Sequence, residues 1–501
     1  MPCCKVLYDL ERDFNLLTRP SPITDIKPDT QVVQPVDIPM LADVVVVGGG
    51  NAALCAAIAA AETGVSVALL ERAPRTYRGG NSRHTRNFRC AHKGPLGVLS
   101  DSYSVDEFYD DLLRVTHGNT DESMAKLVIA QSSDCYEWMM QQGVLFQPAL
   151  AGTLSLSRTN AFFLGGGKAL VNALYQRCED LGVMIYYDTT VADIQIDDNQ
   201  MNNLLVDFQG EQRFVRSKAA VIASGGFQSN KEWLVDAWGD AARNFLIRGT
   251  PYNRGEMLRR MLDAGADSVG DPTQCHAVAI DGRAPEYDGG IVTRLDCVPF
   301  SIVLNANGQR FYDEGEDLWP KRYAIWGRLV AQQPDQTGFC IIDSQSDGLF
   351  MPSVFPALKS DSLPDLLRQL GLPVEQSLNT IETFNSACTA DVNNDFRPTE
   401  LDGLATVGVM PEKTNWARPI NQPPYYAYTL KPGVTFTYLG ISVDESARVM
   451  LKDQPAQNIW AAGEIVAGNI LGEGYLAGFG MTIGTVLGRI AGQQAGDYAK
   501  R

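Results

Sequence analysis

The sequence predicts an α/β protein, a Rossmann-like nucleotide-binding domain interrupted by an inserted α+β capping domain. Three observations predict it. Residues 44–57 read VVVVGGGNAALCAA, a buried strand running through a glycine turn into a helix of small residues. Two later strand-and-glycine segments, ASGGF (223–227) and AAGE (461–464), point to the same site. Between them, residues 271–436 carry more proline, aromatic and turn residues, which predicts a separate layer.

The elements follow in order. Residues 1–40 form a leader rich in proline towards its end, predicted extended or partly disordered. Val44–Val47 fit a strand covered on both faces, because β-branched side chains suit a buried pleated surface. AALCAAIAAAETG reads as a helix ending at Gly64, and VSVALLER (65–72) as the next strand. The whole is a βαβ unit of about thirty residues. Gly48, Gly50 and Ala53 occupy the positions G-x-G-x-x-G/A. The first permits the tight turn, the second lets backbone approach a pyrophosphate, and the third lets helix pack on strand. Asn51 and Ala52 open the helix, whose free N–H groups and positive dipole end favour phosphate. Glu71, with Arg72 beside it, ends the second strand about twenty residues on, where an acid bonds a ribose hydroxyl. A lone G-x-G-x-x-G is weak; strand, helix, strand and acid together are specific.

Next comes RGGNSRHTRNFRCAH, a loop dense in glycine and arginine, and then helical patterns from Val105 to Gly143. FFLGGGKALVNALYQRCEDLG (162–182) reads as a glycine turn opening a helix. Residues 183–197 and 203–216 read as antiparallel strands, and KAAVIASGGF (218–227) as a further apolar strand. Strand character returns in 434–451 and 457–464, and the chain closes in a glycine-started helix. The predicted domains are a nucleotide-binding domain from 41–270 and 437–501, with the cap from 271–436.

Composition narrows the function classes. The chain has 501 residues, 45% hydrophobic and 20% charged, with net charge −17. Bulk charge therefore opposes binding to nucleic acid or an anionic membrane, and an anionic substrate needs a local cluster of arginine or histidine. The ten cysteines show no C-x-x-C spacing, which argues against a zinc ribbon or an iron–sulfur cluster and predicts reduced thiols in a cytoplasmic protein. No apolar run reaches transmembrane length.

A nicotinamide enzyme needs only the first nucleotide unit. The extra turns at 223–227 and 461–464 enclose more, as a large bound flavin requires. In GGNSRHTRNFRCAH, FFLGGGKALV, GQRFYDEGEDLWPKRYAIWGRLVAQQP and AAGEIVAGN, the sequence resembles the fumarate reductase and succinate dehydrogenase flavoproteins, a family that also holds 3-ketosteroid dehydrogenases. The resemblance spans roughly residues 41–500 and looks closest to the tricarballylate dehydrogenase branch. It implies non-covalent FAD, with the pyrophosphate at Gly48–Ala53 and the ribose at Glu71. Gly80, Asn81 and Ser82 would lie on the flavin side of the pyrophosphate. Ala223, Ser224 and Gly225 would close the adenosine end, Glu464 would touch the ribityl chain, and the N–H groups of Gly480 and Met481 would face the pyrimidine edge. Where some relatives attach FAD through a histidine, this sequence has Asn81; His84 stands three residues later.

The same resemblance implies substrate residues in the cap. His276 would bind carboxylate, Thr293 would bond substrate, and Arg322 would move a proton over it. The sequence departs from the family where GVTFT puts Thr435 and Phe436 in place of a histidine motif. Tyr475 replaces a carboxylate-clamping arginine, and Arg294 replaces a relay glutamate. Arg83, Arg86 and Arg89, spaced by three, are candidates for the displaced positive charge or for a solvated face. The implied activity is dehydrogenation of a polycarboxylic acid, tricarballylate to an aconitate, with Tyr475 an alternative to Arg322 as base. Electrons would pass to a separate acceptor, either a membrane-linked partner or oxygen. A 3-ketosteroid dehydrogenase-like enzyme using Tyr475 on an apolar ketone is the alternative, and a non-catalytic flavin-binding subunit is the third.

Overall fold

A computed structural model describes residues 38–148, 156–388 and 396–501. Most of the leader, with Cys3 and Cys4, lies outside the described residues. The described cysteines are all free thiols, and all but Cys388 are buried. Among the described residues, no helix is long and apolar enough to cross a membrane.

The chain lays down strand β1 (Met40–Val47), helix α1 (Asn51–Glu62) and strand β2 (Val67–Leu70). Helix α2 (Gly166–Asp180) leads to β3 (Met184–Tyr186), β4 (Thr189–Asp197), β5 (Gln200–Phe208) and β6 (Glu211–Ile222). A second sheet follows, made of β7 (Leu246–Ile247), β8 (Cys275–Asp281), β9 (Ile302–Asn305), β10 (Gly338–Asp343), β11 (Leu358–Ser360) and β12 (Tyr425–Thr437). Helix α3 (Trp319–Ala331) lies between β9 and β10. The chain then returns to the first sheet through β13 (Arg448–Leu451) and β14 (Gln454–Ala461), and ends in α4 (Phe479–Ala499).

The first sheet has the order β13-β14-β6-β1-β2-β3, with β4 and β5 joined to it through β6. β1 sits between β2 and β6, parallel to both, so its valines are covered on each face. That is why it reads as an unbroken apolar run. β6 is one continuous strand where the sequence suggested two segments. Its first half pairs antiparallel with β5, and its second half, Ala219–Ile222, pairs parallel with β1. The change from the alternating FVR to the apolar AAVI marks the passage from a half-covered to a buried strand.

Helix α4 packs along α1 through glycines four apart, at 484, 488, 492 and 496, which share one helix face. A Cβ at Gly488 would lie 2.5 Å from the Ala52 carbonyl oxygen, and one at Gly492 would lie 2.1 Å from that of Ala56. The alanines of α1 are therefore small for the same reason: the two backbones touch.

In the second sheet β12 is central. It pairs antiparallel with β8, β10 and β11 and parallel with β7. Leu246 and Ile247 thus join the cap sheet well before residue 271. β8 and β12 slip register between His276 and Ala277, opposite Phe436. Such a bulge re-aims side chains, and here it lies at the junction of the two layers.

Candidate FAD and substrate site

One elongated cavity runs between the layers. At one end it is lined by Gly48–Ala52, Glu71 and Arg72, and at the other by His276, Arg294 and Tyr475. Its first end is built by the glycine turn after β1. Gly48 has φ +116, and a Cβ there would come 2.3 Å from the Ala223 carbonyl oxygen. Gly49 is pinned as closely, since its Cβ would meet the Glu71 carboxylate at 2.2 Å. Gly50 opens onto the cavity and caps α1; the Asn51 N–H donates to Ser82 Oγ at 2.9 Å. Ala53 is fully buried, packing helix to strand as its position requires.

Glu71 ends β2 as a buried carboxylate. It accepts the N–H groups of Ala73 at 2.9 Å and Gly79 at 3.2 Å, and the Tyr175 hydroxyl at 3.4 Å. Burial raises its pKa, and these bonds oppose the rise. Arg72 pairs with Glu256 at the same end. An open glycine cradle at a helix start, with a fixed carboxylate at the strand end, fits the pyrophosphate and ribose of FAD. Ala223, Ser224, Gly225 and Gly80 also line the cavity.

Further along, Asn81 ties three segments together. Its amide donates to the Thr435 carbonyl at 2.6 Å and accepts the Thr250 N–H at 2.9 Å. Glu464 accepts the Thr437 N–H at 2.9 Å and the Gln228 amide at 3.2 Å; burial pushes its pKa up to about 7. Asn51 donates to Thr485 Oγ1 at 2.9 Å and to the Met481 carbonyl at 3.3 Å, joining α1 to α4. Gly480 and Met481 line the cavity in the first turn of α4, where the helix dipole favours negative charge. The Gly480 N–H donates to the Tyr475 hydroxyl at 3.2 Å. His84 also lines the cavity, with its Nε2 2.5 Å from Asp288 Oδ1.

The far end gathers cations. His276 is buried and stacks on the Tyr475 ring, with centroids 3.8 Å apart. Among the described residues, neither ring nitrogen has a hydrogen-bond partner. Burial, then Arg248 and Arg294, hold its pKa well below the usual histidine value, so the imidazole is neutral. Arg294 is buried and forks onto Asp296 at 2.7 and 2.8 Å, and the Trp319 indole donates to the same carboxylate at 2.6 Å. Arg294 also lies over the Tyr323 ring, 4.6 Å from its centroid.

Two further arginines line this end. Arg248 is 6% exposed, and among the described residues its Nε and one terminal nitrogen have no hydrogen-bond partner. Burial above all lowers its pKa to about 10, and burial with Arg294 lowers that of Arg86 to about 9, so both remain cations at neutral pH. Arg248 carried no motif: it follows a two-residue strand that is legible only through its pairing with β12. Arg86 stood out only as one of three spaced arginines. That spacing describes no common face, because the segment folds as a 3-10 turn (Gly80–His84) and then a strand (Asn87–Arg89). Arg89 is a structural residue, bonded to the Ala477 carbonyl at 3.1 Å and the Tyr103 hydroxyl at 2.7 Å. Arg83 lies over Tyr77, away from the cavity.

Two expected substrate residues are placed elsewhere. Arg322 lies outside the cavity. It pairs with Glu316, with Nε at 2.8 Å, and contacts the Tyr312 hydroxyl at 3.1 Å. Burial weakens its charge, but Glu316 outweighs that and holds its proton more tightly, the reverse of what a base needs. Thr293 is buried behind the cavity wall and spends its hydroxyl on the Gly290 carbonyl at 2.9 Å. The Arg322 position was implied by its distance from the RFYDE segment, and that of Thr293 by the family resemblance.

Residues 43–480 match the family model described as FAD binding domain. The chain is 25% identical over 473 residues to the NADH:fumarate oxidoreductase of Klebsiella pneumoniae (strain 342), covering 91% of this chain and 48% of that protein. It thus spans about half the length of that relative. In structure it is similar to the open conformation of a flavocytochrome c3 fumarate reductase, with a TM-score of 0.72 at 20% identity, covering 96% of this chain and 85% of that one. It is also similar to the 3-ketosteroid-delta4-(5alpha)-dehydrogenase of Rhodococcus jostii RHA1, with a TM-score of 0.69 at 21% identity, covering 92% and 97%. With the cradle fitting FAD and the family model covering most of the chain, this chain belongs to the FAD-binding domain family of the fumarate reductase flavoproteins, whose cofactor is FAD.

Proposed function

We propose that this chain dehydrogenates a polycarboxylic acid across a carbon–carbon bond, converting tricarballylate to an aconitate. The observation that carries the reading is the cationic end of the cavity. Arg86, Arg248 and Arg294 line the cavity with His276, and among the described residues Arg294 alone of the three makes an ion pair, with Asp296 behind the wall. An apolar ketone would bury these charges against hydrocarbon at a cost of several kcal/mol. Carboxylates would satisfy them, so the steroid reading is the weaker one.

Bound FAD supplies the two-electron acceptor that takes hydride from carbon. The protein's part is to position the acid and accept the second hydrogen as a proton. The arginines draw negative charge onto the substrate carboxylates and so acidify the adjacent C–H. His276 is the fitting acceptor, being neutral, unpartnered and next to Tyr475. Its basicity is depressed partly by Arg248 and Arg294. A carboxylate bound to Arg248 offsets part of that field, so the substrate itself raises the basicity of its acceptor. Tyr475 is pushed to a higher pKa chiefly by burial, which keeps it a protonated donor anchored at Gly480. The stored electrons then leave to a separate acceptor, a partner protein or oxygen.

FAD is held without a covalent bond in this reading, since Asn81 is committed to backbone and His84 to Asp288. Acid precipitation then releases yellow flavin into the supernatant. The test of the reaction is product identification with an artificial electron acceptor. Aconitate formed from tricarballylate supports the reading; its absence, with turnover of a 3-ketosteroid, overturns it.

A further inference from the structure

The arginines at the cavity end are not equivalent. Arg294 is neutralised within the protein, with both of its forked bonds on Asp296. Arg248 and Arg86 are not: among the described residues neither makes an ion pair. The polar contact of Arg86 is the Met351 sulfur at 3.9 Å, and its guanidinium lies 5.9 Å from the Phe162 ring centroid. Arg248 is held at its backbone. Its N–H donates to the Val434 carbonyl at 2.9 Å, and its carbonyl accepts the Gly290 N–H at 2.8 Å. The next residue, Gly249, is pressed against Asn81, where a Cβ would lie 2.0 Å from the amide oxygen. The side chain is thus presented by a fixed strand end, buried, with two nitrogens unsatisfied.

A buried guanidinium without a counter-charge costs several kcal/mol, and folding does not retain one without a use. The pyrophosphate is not that use, because its cradle is the glycine turn at the opposite end. The charged groups that act on Arg248 are Arg294 and Asp296, both at the substrate end. A planar fork with free nitrogens matches a carboxylate, to which arginine binds with two parallel bonds.

We propose that Arg248, seconded by Arg86, is a carboxylate subsite separate from the Arg294–Asp296 pair, so that the site selects acids with at least two carboxylates. The inference rests on the polycarboxylate reading and adds the residues that count the charges. Two uncompensated cations match two carboxylates. A third carboxylate adds less, since Arg294 is already paired.

The test uses the FAD-loaded enzyme and its Arg248→Gln and Arg86→Gln variants. Tricarballylate, succinate and propionate are titrated anaerobically, reading the perturbation or bleaching of the flavin spectrum alongside FAD content. In the parent enzyme the two polycarboxylates bind well and propionate poorly. Arg248→Gln weakens both polycarboxylates by at least about tenfold, leaves propionate within about twofold and keeps its FAD, so the preference for a second carboxylate collapses. Arg248→Lys recovers part of the loss, because it restores charge without the fork. A variant that binds tricarballylate like the parent, or that loses FAD with its affinity for acids unchanged, overturns the subsite. Should Arg248→Gln fail to fold, Arg86→Gln decides by the same collapse or its absence. The two readings fail separately. Polycarboxylates that bind without bleaching, and lose affinity in Arg248→Gln, refute the dehydrogenation and keep the subsite. Bleaching by tricarballylate with equal affinity in parent and variant does the reverse.

Discussion

Arg322 is held by Glu316 and the Tyr312 hydroxyl outside the cavity, so its loss should spare the chemistry. It follows the GQRFYDE segment at a plausible distance, flanked by Trp319, Tyr323 and Trp326, and the resemblance implied a proton-moving role. The structure binds it instead to Glu316 and Tyr312, outside the cavity. Arg322→Gln is expected to leave anaerobic flavin reduction within about threefold, because a partly exposed ion pair contributes at most about 1 kcal/mol. A loss of several orders of magnitude would return Arg322 to the chemistry. Glu464 makes a second residue-scale prediction. Its pKa rises from 4.5 to about 7 on folding, chiefly through burial. Between those values the native state holds a proton that the unfolded chain has lost, so stability falls as pH rises through the window. For FAD-free protein the fall is on the order of 3 kcal/mol, measured by denaturant unfolding near about pH 5 and about pH 8. Glu464→Gln should flatten that dependence, and an unchanged slope in the variant would contradict the assignment. The residues legible in the sequence are those fixed by local geometry: Gly48, Gly50 and Glu71 follow from a turn and a strand end. Arg248 was not legible, because its role depends on a strand partner almost two hundred residues away in sequence.

At the scale of elements, the same division holds. The βαβ unit, the helix after Gly165 and the closing helix α4 were readable, since periodicity and glycine punctuation are local signals. The join within β6 was not, because a strand that changes partners halfway changes its pattern without ending. Nor was the early entry of β7 into the cap sheet, which two residues cannot announce. The α1–α4 contact was visible only as composition: the glycines acquire meaning when Gly492 is found against Ala56. Gly492→Val should destabilise the protein by at least about 2 kcal/mol, since helix backbones in contact cannot absorb a branched side chain. Thermal unfolding of the variant, with its FAD content, checks this; a melting temperature within a degree or so of the parent's would show that the helices separate easily.

In the whole molecule, one cavity joins the two layers. The first sheet and the helix starts of α1 and α4 hold a dinucleotide, and the second sheet brings His276 and Arg248 against it through β8 and β7. Net charge −17 over the chain and a cationic pocket within it are compatible, because the positive charge is local: Arg248 and Arg294 are buried and line the cavity. The central claim is that this pocket delivers a polycarboxylate to FAD. It is tested most directly by adding tricarballylate to the purified yellow protein without oxygen or any other acceptor. The visible flavin spectrum is expected to bleach. A flavin that stays oxidised with tricarballylate and succinate, yet bleaches with a 3-ketosteroid, would contradict it.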